Sequence, residues 1–177
     1  MNDVAVLFAR RRSVYLSLPG CDVWCEQRDA RRWPGGAPVV AHPPCRAWGR
    51  LKAFAKPAAG EADLANFAVE QVRRWGGVLE HPAASSLFKV AGLPRPMEPP
   101  DCYGGVTIEV NQVDWGHRAL KPTWLYLVRV DFAGVVMPAP GCPVTTVENM
   151  GRPEREATPR AFALWLRDLA ATARPLE

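Results

Sequence analysis

Three short segments hold the residues best suited to covalent chemistry. Pro43-Pro44-Cys45 ends the apolar run Val39-Val40-Ala41-His42, and Glu80-His81-Pro82 ends Val78-Leu79. Asp114-Trp115-Gly116-His117-Arg118-Ala119-Leu120-Lys121-Pro122-Thr123 leads into the apolar Trp124 to Val128. All three histidines, His42, His81 and His117, lie in or beside these segments. A thiol delivered to the end of a buried strand, with glycines and basic residues after it, is well situated as an activated nucleophile. Glu80 supplies a carboxylate at the end of a second strand. Each residue also has a plainer reading. Cys45 can be a small buried hydrophobe, Glu80 a cap or ion-pair partner, and His42 a core hydrogen bonder. His81 can cap the next helix or pack on Pro82, and Arg118 and Lys121 can be ordinary surface charges. Trp48 can stack on a base or fill the core.

The elements that must position these groups are legible from periodicity. Val4 to Ala9 is an apolar run of strand length, Asp22 to Cys25 a second short strand, and Pro38 to His42 a third that stops where proline removes the ladder donor. Gly60 to Trp75 has the helical spacing of Leu64, Phe67, Ala68, Gln71, Val72 and Trp75. Its acids come first and its arginines last, as a helix dipole favours, and Gly76-Gly77 stops it. Val78 to Glu80 is then a buried strand, and Ala83 to Val90 a short helix. Leu93 to Cys102 is a proline-rich loop, and Val106 to Val110 and Thr123 to Val130 are β-rich. After a loop over Pro138 to Pro153, Thr158-Pro159 opens a terminal helix with Phe162, Trp165, Leu166 and Leu169 on one face. Strands alternating with helices predict a Rossmann-like α/β fold, a mainly parallel sheet with helices on both faces and some antiparallel edge pairing. Ligands of such sheets bind beyond the carboxyl ends of the strands.

Composition narrows the class. The 177 residues suit a single domain over 1–177. The 22 basic and 18 acidic side chains give a net charge of +4, a mild lean toward polyanions. Five cysteines show no paired metal spacing, so no metal is expected, and the absence of a leader or membrane-length apolar run predicts a cytoplasmic protein with reduced thiols and no membrane partner. Arg10-Arg11-Arg12, just after the first strand, is either a solvated charge run or a phosphate contact.

In order and spacing the three segments resemble the cytosine-5 DNA methyltransferases, and the whole looks like a compact phage- or prophage-type relative. Pro43 to Cys45 matches the family's Pro-Pro-Cys motif. Glu80-His81-Pro82 echoes its Glu-Asn-Val motif with the glutamate retained. Gly116 to Val128 is similar to its glycine, Gln-x-Arg-x-Arg and strand segment, with Arg118 and Lys121 as the basic residues. Arg155 to Arg160 resembles its Arg-x-Leu-Thr-x-Arg-Glu helix start. The resemblance implies a transferase that modifies carbon 5 of cytosine in DNA. Cys45 would add to carbon 6 and Glu80 would hold N3 and the exocyclic amine. Pro43, Pro44, His81, Arg118 and Lys121 would line the base site. It also implies S-adenosylmethionine as donor, with Phe8, Asp22 and Asp29 the candidate contacts, and base flipping if the substrate is duplex.

Two features depart from that pattern. The family's Phe-x-Gly-x-Gly loop is replaced by Phe8-Ala9-Arg10-Arg11-Arg12, whose side chains crowd a backbone approach to the donor. A target-recognition domain of about seventy residues has no counterpart between Val128 and the last helix, so a homodimer or a recognition partner could supply that surface. Two other functions therefore stand beside methyl transfer to DNA. One is a pyrimidine-modifying enzyme acting on a nucleotide or modified base without S-adenosylmethionine. The other is a non-catalytic nucleic-acid-binding module on the same scaffold.

Overall fold

The computed structural model describes residues 3–49 and 52–174. Its strands are β1 (Val4–Ala9), β2 (Cys21–Cys25), β3 (Val39–Ala41), β4 (Gly77–Pro82), β5 (Gly105–Asn111) and β6 (Pro122–Val128). The helices are α1 (Glu61–Trp75), α2 (Ser86–Val90), α3 (Arg152–Arg155) and α4 (Arg160–Ala171). The strands form one sheet in the order β2-β1-β3-β4-β6-β5. Pairs β1–β2, β1–β3 and β3–β4 are parallel, while β6 runs antiparallel to both β4 and β5. This is the expected α/β architecture, a mainly parallel sheet with helices on both faces and antiparallel pairing toward one edge.

Alternation along the strands divides the core. Val6, Val40, Val78, Leu125 and Leu127 face Phe162, Leu166 and Leu169 of α4. Leu7, Ala41, Leu79 and Tyr126 face Ala65, Ala68, Val69 and Val72 of α1. The inner strands are buried on both sides, which is why they read as continuous apolar runs. The chain passes from β1 outward to β2 and returns to place β3 on the other flank of β1. The loops after β1 and β3 therefore part in opposite directions, the arrangement at which open α/β sheets hold their ligands.

Several boundaries have identifiable causes. α1 stops because Gly76 turns left-handed at φ 77° and its N–H closes on the Val72 carbonyl. At Gly77, φ is 119° and a Cβ would lie 2.0 Å from the Val39 carbonyl oxygen, so only glycine lets β4 start this close to β3. β6 ends at Val128, short of the expected Val130, because Arg129 adopts φ 53°. The expected helix over Ala83 to Val90 shortens to α2, with the Ser85 hydroxyl accepting from the Leu87 N–H. Pro159 is the N-cap of α4 and stands before its first turn, not within it. The stretch expected as loop up to Pro153 contains a 3-10 turn at Val147–Asn149 and the start of α3.

Candidate active site

Four loops meet at the carboxyl edge of the parallel strands. After β1, Arg10 leads to a 3-10 turn at Val14–Ser17 that buries Tyr15. After β3 come His42 and Cys45; β4 carries Glu80 near its end; and Lys121 immediately precedes β6. His42 and Glu80 extend the row of Val40 and Val78 on the α4 side of the sheet, so their side chains meet.

They meet in a hydrogen-bonded chain. His42 Nδ1 lies 2.9 Å from Glu80 Oε2, and His42 Nε2 lies 3.0 Å from the Tyr15 hydroxyl. Burial, followed by the charges of Glu80 and Cys21, pushes the Tyr15 phenol well above its ordinary value, so it stays a neutral hydroxyl in hydrogen-bond contact with Nε2. On the other side, the ionised Glu80 can only accept, so Nδ1 carries hydrogen and donates to it. The other carboxylate oxygen, Oε1, accepts from Gln112 Nε2 at 3.1 Å, and the same amide donates to Thr123 Oγ1 at 3.1 Å. Thr123 in turn donates to the Lys121 carbonyl at 2.9 Å. Burial alone would raise the Glu80 pKa. The hydrogen bond and charge of His42, with the charges of Lys121 and His81, overcome it and hold the carboxyl at about 2. Glu80 is therefore an immobilised carboxylate with one lone pair on each oxygen left for a ligand.

Cys45 shares this edge with Glu80. Cys45 is exposed to solvent, yet desolvation by the protein packed around it pushes its thiol up, followed by the negative charges of Glu80 and Glu156, while its own backbone N–H and Lys121 draw it down. Lys121 is itself lowered by burial and by Arg10, against the opposing pull of Glu80, Cys45 and Glu156. Cys45, Glu80 and Lys121 thus lie on the same edge of the sheet and influence one another electrostatically. The turn carrying Cys45 is anchored on two sides. Its carbonyl accepts from Trp48 N–H at 3.0 Å and Gly49 N–H at 2.8 Å. The Trp48 carbonyl accepts from the Ser86 N–H and hydroxyl, each at 3.0 Å. Next to the thiol, Arg46 grips the buried Glu61 at the start of α1 through two hydrogen bonds, one of them 2.8 Å. Burial of Glu61 opposes its ionisation, and Arg46 with the Ala58 N–H reverses that and keeps it charged.

The remaining expected residues fall into distinct places. Pro43 and Pro44 carry the chain from His42 to Cys45 at the site. His81 points the opposite way from Glu80. It is completely buried on the α1 side, and neither ring nitrogen has a well-formed hydrogen bond. Burial outweighs Glu80 and the Pro44 carbonyl and lowers its pKa to about 4, so it is neutral packing behind the site at pH 7. Arg118 reaches Glu154 at 2.6 Å. His117 Nδ1 lies 2.8 Å from the Ala119 carbonyl within its own turn. Phe8 is left-handed at φ 61° and packs edge-on against Phe67, with 6.1 Å between centroids. Asp22 lies level with Ala5, early in β2, and accepts from Trp24 Nε1 at 2.7 Å and Arg28 at 2.6 Å. Asp29 caps the 3-10 turn Ala30–Arg32 and accepts from Arg31 at 2.9 and 2.8 Å.

Tyr15, Gln112 and Thr123 were not among the expected site residues. No motif marks Tyr15 or Gln112, and Thr123 closes the third segment without an assigned role; all three become visible only when the sheet brings their elements beside Glu80. Among the described residues no group of three or more His, Cys, Asp or Glu side chains could hold a metal ion, and no helix is long and apolar enough to cross a membrane. The chain matches no protein-family profile, and no curated protein or solved structure is significantly similar to it.

Proposed function

We propose that the protein acts on carbon 5 of a pyrimidine base, cytosine above all, through covalent addition of Cys45 to carbon 6. The observation that carries this reading is the clamped, ionised Glu80 near the end of β4, on the same edge of the sheet as Cys45 in the loop after β3. Each Glu80 oxygen keeps one acceptor position. Together they match the exocyclic amine of cytosine and an N3–H, so the carboxylate favours the N3-protonated ring. That form is the more electrophilic at carbon 6. When the sulfur adds, the C5=C6 bond opens and its electron pair is shared with carbon 5, which becomes nucleophilic. Carbon 5 can then take a proton from solvent. Loss of the original hydrogen and expulsion of the thiolate restore the ring. Lys121 stabilises the thiolate before addition, and Arg10, Arg118 and Lys121 offer positive charge to a nucleic-acid backbone.

The residues at the β1 edge do not fit S-adenosylmethionine in the cradle the resemblance implies. Phe8 has a side chain at a left-handed position where the family's loop has glycines close by, and three arginines follow Ala9. Asp22 and Asp29 are already paired with arginines.

Exchange at carbon 5 is the direct test. Incubation of single-stranded and duplex oligodeoxynucleotides or of cytidine nucleotides in D2O should place deuterium at cytosine carbon 5, read by mass spectrometry. Cys45→Ala should abolish exchange and Glu80→Gln should reduce it at least 100-fold. A second reading, a nucleic-acid binder without chemistry, is favoured by the raised Cys45 thiol. It predicts oligonucleotide binding with no exchange on any substrate.

A further inference from the structure

We infer that residues 151–157 form an internal strap whose carboxylates occupy the cations that would otherwise hold substrate phosphates, and that a polyanion displaces it to open the site. The strap contains α3 and is fastened to two of the loops that build the site, the one after β1 and the one before β6. Arg10 donates to the Pro153 carbonyl at 3.0 Å and lies 3.6 Å from Glu156. Arg118 meets Glu154 at 2.6 Å, and Lys121 Nζ donates to the Ala157 carbonyl at 3.3 Å. These are the same three cations assigned above to a nucleic-acid backbone, so the inference rests on that reading for the identity of the displacing ligand. Glu154 and Glu156 give Arg118 and Arg10 the charge sign and the oxygen acceptors a phosphate would offer, Glu156 being steadied within the strap by Arg152 Nε at 2.8 Å.

The strap also bears on the nucleophile. The Glu156 charge raises the Cys45 thiol and acts on Lys121 and Arg46. In place, it opposes formation of the thiolate; moved away, it leaves Lys121 to favour it. The fastening suits a device that must let go. The Arg10–Glu156 and Arg118–Glu154 pairs are largely exposed to solvent, and such pairs add little stability and weaken with salt. Within the strap, α3 is a single turn, with the Arg155 and Glu156 N–H groups bonded to the Gly151 and Arg152 carbonyls. So short a helix is marginal on its own. Substrate phosphates would therefore both release the strap and lift a brake on the thiol.

The test compares wild type with Glu154→Gln/Glu156→Gln, and with Glu26→Gln/Glu98→Gln as a control having the same change in net charge. Iodoacetamide labelling of Cys45, read on its peptide with Cys102 as internal reference, should run at least threefold faster in the strap variant and at the wild-type rate in the control. The strap variant should bind a single-stranded 20-mer oligodeoxynucleotide about tenfold more tightly than the control at low salt. In wild type, adding that oligonucleotide should speed amide hydrogen exchange over 151–157, the reverse of ordinary protection by a ligand. Equal labelling rates in strap variant and control, or slower exchange over 151–157 on binding, would overturn the strap. Faster labelling with no oligonucleotide bound by any variant would leave the strap standing and overturn the nucleic-acid reading.

Discussion

Glu80→Gln tests the electrostatics of the site through stability, independent of any substrate. The carboxyl falls from an ordinary 4.5 to about 2 on folding, and the side chain is only 15% exposed. At about 1.4 kcal/mol per unit, the ionised form contributes about 3 kcal/mol at pH 7. The sign follows from the depressed folded-state value. The contribution is complete above pH 4.5 and is lost as pH falls toward 2, with about 2 kcal/mol gone by pH 3. Glutamine cannot ionise, and its amide would set a donor against either the His42 N–H or the Gln112 amide, adding roughly 1–3 kcal/mol at every pH. Urea unfolding followed by tryptophan fluorescence should therefore show a gap between wild type and variant that is widest above pH 5 and narrows steadily to pH 3. A gap that stays constant across that range, or widens on acidification, would refute the reasoning.

Other perturbations follow from the same contacts. Lys121→Ala removes the cation that draws the Cys45 thiol down, so iodoacetamide labelling of Cys45 at pH 8 should slow several-fold, with its midpoint moving to higher pH. Arg46→Ala leaves Glu61 buried without its main partner. The loss measured by urea unfolding should be about 1–3 kcal/mol, below the figure for a fully buried pair because Arg46 is partly exposed. Gly77→Ala forces a Cβ against the Val39 carbonyl at a positive φ, and should lower stability by roughly 3 kcal/mol or more, seen as a fall in Tm or loss of folded protein. Tyr15→Phe removes the hydroxyl that holds His42 Nε2. It should lower carbon-5 exchange while leaving oligonucleotide affinity unchanged, a split that distinguishes positioning from binding.

How far the sequence reveals this molecule depends on how local each signal is. The inner strands and α1 are legible because burial on both faces, or on one helical stripe, imposes a period on consecutive residues. Their ends are less so: Arg129 stops β6 through a left-handed backbone that its side chain does not advertise. Cys45 and Glu80 are legible because strand-ending prolines mark where each is delivered. Their neighbours His42 and His81 show the limit. Both are histidines at strand ends, yet alternation sends His42 to the face of Glu80 and His81 to the other, a distinction that rests on which face each strand presents. Gln112 and Tyr15 come from elements remote in sequence, and only the strand order β1-β3-β4-β6-β5 sets them around one carboxylate. The strap is equally non-local, because exposed arginines look alike until their partners are seen.

The most direct measurement is covalent capture with a base whose position 5 is nitrogen. An oligodeoxynucleotide carrying 5-azacytosine needs no donor: addition of the thiolate at carbon 6 with protonation of N5 gives an adduct detectable as an intact mass and mapped to a peptide. The adduct should form on Cys45, be absent in Cys45→Ala, and form much more slowly in Glu80→Gln. Efficient binding of that oligonucleotide with no adduct, or an adduct on Cys102 or Cys142 in place of Cys45, would contradict the assignment of position 45 as the nucleophile.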